Sequence, residues 1–71
     1  MEIVYTLHAR QRMDKRGISP LMIEETLCNP AAIAGGREGK FIAFREFSQG
    51  VSEVVFAKEP GKMVVISVRW S

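Results

Sequence analysis

Three observations predict an α+β fold in which two short N-terminal helices pack on a three- to four-stranded antiparallel β meander. Two helical segments in the first 30 residues are bounded by hydroxyl side chains at their starts and by Gly17 or Pro30 at their ends. After Gly35-Gly36 the chain changes to extended segments, separated by the turns Ser48-Gln49-Gly50 and Glu59-Pro60-Gly61. The 71 residues, 46% of them hydrophobic, show no repeat or low-complexity tract, so they form one domain spanning 1–71.

Glu2 to Tyr5 is a short strand, since Ile3, Val4 and Tyr5 favour extended backbone. Thr6 is the N-cap of a first helix over Leu7–Arg16, and Gly17 supplies its left-handed C-terminal stop. Leu7, Ala9 and Met13 can face inward. Lys15 and Arg16 suit the negative end of that helix, whereas His8 and Arg10 oppose its positive end. Ser19 caps the second helix and Pro20 occupies its first position. Met22, Ile23, Thr26 and Leu27 form its inward face, and Pro30 ends it by holding Asn29 out of the helical region.

Ala31 to Ala34 is a short extended piece before a flexible Gly35-Gly36 link. Strands follow over Lys40–Phe47, Val51–Lys58 and Lys62–Trp70. A three-residue first turn pairs Phe47 with Val51 and so sets Arg45 opposite Glu53. Ile42, Phe44, Val54, Phe56, Val64, Ile66 and Val68 then form the core face, with Arg45, Glu53, Ser67 and Arg69 on the other beside Phe41 and Phe47. A two-residue second turn would instead pair Glu59 with Lys62 and flip the last strand.

Ten Lys or Arg against eight Asp or Glu leave a net charge of only +2, which by itself does not select nucleic acid. The distribution is more informative: residues 8–16 carry Arg10, Arg12, Lys15 and Arg16 against the single acid Asp14. The lone Cys28 excludes an internal disulfide and reads as a small buried hydrophobe. One His and one Cys lack metal-ligand spacing, so no metal and no cofactor are expected. The longest apolar run, Met63–Ile66, is too short to span a bilayer. With no apolar leader, the expected location is the cytoplasm. So much apolar residue on so thin a core leads us to expect a homodimer or a bound protein partner.

His8, Arg12 and Arg16 are spaced four apart and share one helical face. Guanidinium groups clamp phosphate oxygens, and imidazole moves protons near neutral pH. In a metal-free RNA cleavage, His8 would be the acid–base group and Arg12 and Arg16 would hold the phosphate. Arg10 and Lys15 would flank the strand, and Arg45 or Arg69 would add a contact from the sheet. The same residues also fit a plainer reading. His8 would then bond a backbone carbonyl, Arg12 and Arg16 would be solvated or paired with Glu24 or Glu25, and Arg45 would pair with Glu53 across strands. Trp70 either stacks on a base or caps the edge of the core.

The run His8-Ala9-x-x-Arg12-Met13-x-x-Arg16-Gly17-Ile18-Ser19, followed by a short helix ending at Asn29-Pro30 and by a three-strand meander, resembles a prokaryotic family. Its members are small domains of unknown function related by fold to the RelE and BrnT toxins. The resemblance spans the chain, although the C-terminal half matches only in strand pattern, with Val64–Val68 as the apolar last strand. It implies a RelE/BrnT-like fold, toxin–antitoxin endoribonuclease activity on RNA, and an antitoxin-like protein partner. The motif residues carry over as His8, Arg12 and Arg16. The chain departs from the toxin pattern in having no second histidine and no late tyrosine, its only Tyr being Tyr5. The expected function is therefore a toxin-like, metal-independent endoribonuclease, with a non-catalytic nucleic-acid- or protein-binding module as the alternative.

Overall fold

The computed structural model describes residues 2–71. The elements run β1 (Glu2–Tyr5), α1 (Leu7–Arg16), α2 (Pro20–Cys28), β2 (Ala32–Gly35), β3 (Lys40–Phe47), β4 (Gly50–Glu59) and β5 (Lys62–Trp70). The local signals place both helices. Thr6 Oγ1 accepts from the Ala9 amide at 3.1 Å, and Ser19 Oγ accepts from the Met22 amide at 3.2 Å. Gly17 closes α1 at φ 66°, ψ 34°, a conformation that strains any residue with a Cβ.

The sheet departs from the expected architecture. It is a mixed five-stranded sheet in the order β1-β5-β4-β3-β2, not a three- or four-stranded antiparallel meander. Only the β3–β4–β5 part is a hairpin-connected meander. β1 pairs parallel with β5, in the register Glu2↔Lys62 to Tyr5↔Val65, and β2 pairs antiparallel with β3 at the other edge. The two helices carry the chain from one edge of the sheet to the other. No turn residue specifies the β1–β5 pairing, because its partners lie 60 residues apart.

The facing of the strands is also corrected. Phe47 pairs with Gly50, so the first turn has two residues rather than three, and Arg45 lies opposite Ser52 while Glu53 lies opposite Phe44. A one-residue slip turns every side chain of a strand over. Ala43, with Phe41 beside it, therefore faces the helices, while Ile42 and Phe44 occupy the helix-free face. The second turn likewise has two residues, since Glu59 pairs with Lys62. That flips Val64 outward and Val65 inward, until a bulge opposite Val55/Phe56 takes up Ile66 and brings Val68 back to the core. Of the expected core face, Val54, Phe56 and Val68 are buried, and Ile42, Phe44, Val64 and Ile66 are only half-buried.

Ala9, Met13, Ile18, Ile23 and Leu27 pack from the helices onto Ala43, Val54, Phe56, Val65 and Val68. Leu7, expected inside, is 73% exposed, and Cys28, expected to be a small buried hydrophobe, lies on the solvent side of the last turn of α2. One polar link crosses this core. The hydroxyls of Thr26 and Ser52, both fully buried, stand 2.6 Å apart, with further contacts from Thr26 to the Met22 carbonyl (2.8 Å) and from Ser52 to the Arg45 carbonyl (3.2 Å). Two protons serve three contacts, and removing either hydroxyl eliminates two of them and leaves the other hydroxyl buried without its 2.6 Å partner. Thr26→Val, nearly isosteric, is expected to destabilise the domain by about 1–3 kcal/mol. At roughly 4–8 °C per kcal/mol for a domain of this size, a thermal melt resolves the loss.

Candidate functional site

The basic residues of the chain fall into two groups. Those of the sheet are partly neutralised: Arg69 Nη2 and Nε each lie 3.0 Å from Glu53 Oε1 and Lys62 lies 3.5 Å from Glu59, while Lys40 and Lys58 form no ion pair among the described residues. Arg45 Nε lies 3.5 Å from Glu25 without a hydrogen bond, and Arg45 Nη1 donates to the Asn29 carbonyl at 2.7 Å. Arg45 and Arg69 project from opposite faces of the sheet, so they do not converge on one ligand. By contrast, none of the cations of α1 forms an ion pair among the described residues.

Within α1 the expected stripe of three divides. His8 is exposed, and Arg12 Nε donates toward His8 Nε2 across 3.4 Å. This i,i+4 pair faces solvent, and the Nε2 lone pair that would take a proton is directed at the guanidinium. Arg16, half-buried like Arg12, is directed elsewhere. Its Nη1 donates to the Val68 carbonyl at 2.8 Å, and its own carbonyl accepts the Trp70 indole N–H at 2.7 Å. Arg16 thus fastens the end of α1 to β5 and does not stand beside Arg12 as a second half of a phosphate clamp. Trp70 packs edge-on against Phe47, with ring centroids 6.5 Å apart, and caps the edge of the core. Lys15 is exposed in the last turn.

Arg10 lies elsewhere on the helix. At about 100° per residue, Arg10 and Asp14 fall on the flank opposite His8 and Arg12. There they line an open cleft of about 640 Å³ with Tyr5, Met13, Gly17, Ile18, Ser19 and Pro20. Burial raises the Tyr5 phenol above its ordinary value of 10.0; Glu24 adds to that rise and Arg10 opposes it. This cleft was not legible in the strand and helix pattern. It forms where the end of β1 meets the α1–α2 corner, and its one sequence trace is the Arg10/Asp14 spacing. Among the described residues, no group of three His, Cys, Asp or Glu side chains could hold a metal ion, and no helix is long and apolar enough to cross a membrane.

A family model described as "Domain of unknown function (DUF4258)" matches residues 5–70. No curated protein and no solved structure matches the chain.

The division of labour within α1 separates by measurement. Arg16→Met is expected to lower the unfolding free energy by about 1–2 kcal/mol, the charged hydrogen bond being half-buried. Arg12→Ala is expected to stay within about 0.5 kcal/mol of the parent. Urea denaturation midpoints distinguish the two, and equal losses would refute the assignment. The single tyrosine also allows a direct titration. Its ultraviolet absorbance should give an ionisation midpoint above 10.0. Because the folded value lies above the unfolded one, the associated stability is fully present below pH 10.0 and is lost as pH rises through the folded value.

Proposed function

The chain belongs to the DUF4258 family, and we propose that it is an RNA-binding domain that holds the phosphate backbone along α1. One observation carries this reading: Arg10, Arg12, Lys15 and Arg16 stand within one ten-residue helix and none of them has a carboxylate partner among the described residues, whereas Arg45, Lys62 and Arg69 in the sheet have theirs and the other unpaired cations, Arg37, Lys40 and Lys58, lie on the β2–β3 link, β3 and β4. A net charge of +2 is then no argument against a polyanion, because four of the seven Lys or Arg without an ion pair among the described residues stand on one helix. His8, Arg12 and Lys15 are its surface contacts, and Arg10 stands on the opposite flank of the same helix. Arg16 contributes by holding α1 in place.

The exposed His8–Arg12 pair favours a second, more specific reading: a toxin-like, metal-independent endoribonuclease of the RelE/BrnT kind. On binding, the Arg12 guanidinium would turn from His8 Nε2 to the phosphate and stabilise the charge gathering on its oxygens, and the freed Nε2 would take the proton of the attacking 2′-hydroxyl. No second acid stands in that pair to protonate the leaving 5′-oxygen, so solvent would have to supply that proton. Binding is therefore the primary function in this proposal and cleavage the narrower one.

Fluorescence anisotropy with a single-stranded RNA oligomer tests the primary reading. Affinity should fall with salt, and each of Arg12→Gln and Lys15→Gln should flatten the slope of log K against log salt by about 0.7. RNA binding with no salt dependence, or none at all, would sink it. Incubation with end-labelled RNA tests the second reading. Cleavage that disappears in His8→Ala while binding persists supports it, and intact RNA beside the wild-type protein refutes it.

A further inference from the structure

The cleft at the α1–α2 corner holds polar groups that the fold leaves unused. Arg10 and Asp14 stand one turn apart and both line it, yet they form no ion pair. With the cation N-terminal to the acid, the pair is in the weaker i,i+4 order, so little draws the two charges together. Met13 and Ile18 are buried in its floor, and Tyr5 presents a half-buried aromatic ring. The Tyr5 hydroxyl makes no hydrogen bond among the described residues, although it stands close enough to Glu24 and Arg10 to feel both charges.

This combination restricts the ligand. A phosphate would meet the like charge of Asp14. An aliphatic group would strip water from both Asp14 and Arg10 and return no hydrogen bond. A planar heterocycle suits the apolar and aromatic walls, provided that one edge offers donors to the carboxylate and the adjoining edge offers acceptors to the guanidinium.

We propose that the cleft holds an unstacked guanine base of the bound RNA, with Asp14 accepting from its N1–H and 2-amino groups and Arg10 donating to its O6 and N7. Among the four bases, guanine alone places two adjacent donors before a carboxylate and still leaves two acceptors for a guanidinium. The proposal rests on the RNA-binding reading above and adds base selectivity to it. The cleft and the His8–Arg12 pair lie on opposite flanks of α1, about one helix diameter, ~10 Å, apart. Gln11 and Lys15 lie on the solvent face between them, so a strand laid across the helix reaches both. The phosphates run over Lys15 and Arg12, and one base turns over the Arg10/Asp14 flank into the cleft.

Anisotropy measurements with octauridylate and with the same oligomer carrying a single guanine, inosine or adenine test the proposal. The guanine oligomer is expected to bind roughly tenfold more tightly than octauridylate. Inosine, which lacks the 2-amino group, should fall between them, and adenine should show no gain. Asp14→Asn should bring the guanine-to-uridine affinity ratio close to one, with a circular-dichroism melt confirming the fold. Equal affinities for all four oligomers would overturn the cleft assignment and leave the RNA reading standing, as would a guanine preference that survives in both Asp14→Asn and Arg10→Gln. If no oligomer binds, the RNA reading itself fails, and an NMR titration of the full chain with guanosine monophosphate decides the cleft alone. Amide shifts gathered at Tyr5, Met13, Gly17 and Ile18 would support the guanine site, and their absence would overturn it.

Discussion

β5 holds α1 at both ends, and the placement of every functional side chain follows from that attachment. At one end the Thr6 amide donates to the Val65 carbonyl at 3.1 Å, and Thr6 Oγ1 lies 3.2 Å from the Ile66 carbonyl at the bulge while capping the helix. At the other end Arg16 reaches the Val68 carbonyl and Trp70 reaches back to the Arg16 carbonyl. Each such bond is worth about 0.5–3 kcal/mol net. A chain of this length has a total stability of roughly 4–11 kcal/mol, so these few contacts are a large part of what orients the helix. They determine which flank of α1 faces open solvent and which closes a cleft against β1 and α2.

The sorting of charge follows from the same attachment. Glu53 is only 7% exposed on the helix-free face of the sheet, and a buried carboxylate without a cation would be strongly destabilising, so Arg69 is committed to it. Arg45 is drawn to the C-terminal end of α2, where the Asn29 carbonyl and the Glu25 carboxylate both attract a cation. No carboxylate approaches Arg12 or Lys15 in this way. The exposed pairs among these contribute little to stability. Their effect is to cancel part of the charge over the sheet, while the cations of α1 stay unpaired.

Sheet register shows how little separates one facing from the other. Two consecutive two-residue turns would leave β5 turned over relative to an unbroken alternation, and the single extra residue at Ile66 restores it for Val68 and Trp70. Without that bulge, Trp70 would not point to the helix side and could not reach the Arg16 carbonyl. The bulge therefore connects the strand pattern to the helix attachment. Its Ile66 carbonyl, displaced from the regular ladder, is the one that Thr6 approaches.

What the sequence by itself determined is local. The spans and caps of both helices, the extents of the three long strands and the shared flank of His8 and Arg12 all follow from contacts within a few residues, such as Thr6 with Ala9, Ser19 with Met22, and the i,i+4 spacing on α1. Tertiary structure decided the rest. Arg16 has the same spacing from Arg12 as Arg12 has from His8, yet it is taken by a carbonyl 52 residues away. The β1–β5 pairing, the identity of the core face and the Tyr5–Arg10–Asp14 cleft likewise depend on which distant backbone groups meet. Periodicity specifies which residues of an element share a face. It carries no information about which partner that face will find, because the choice depends on burying apolar area and satisfying hydrogen bonds across the whole chain at once.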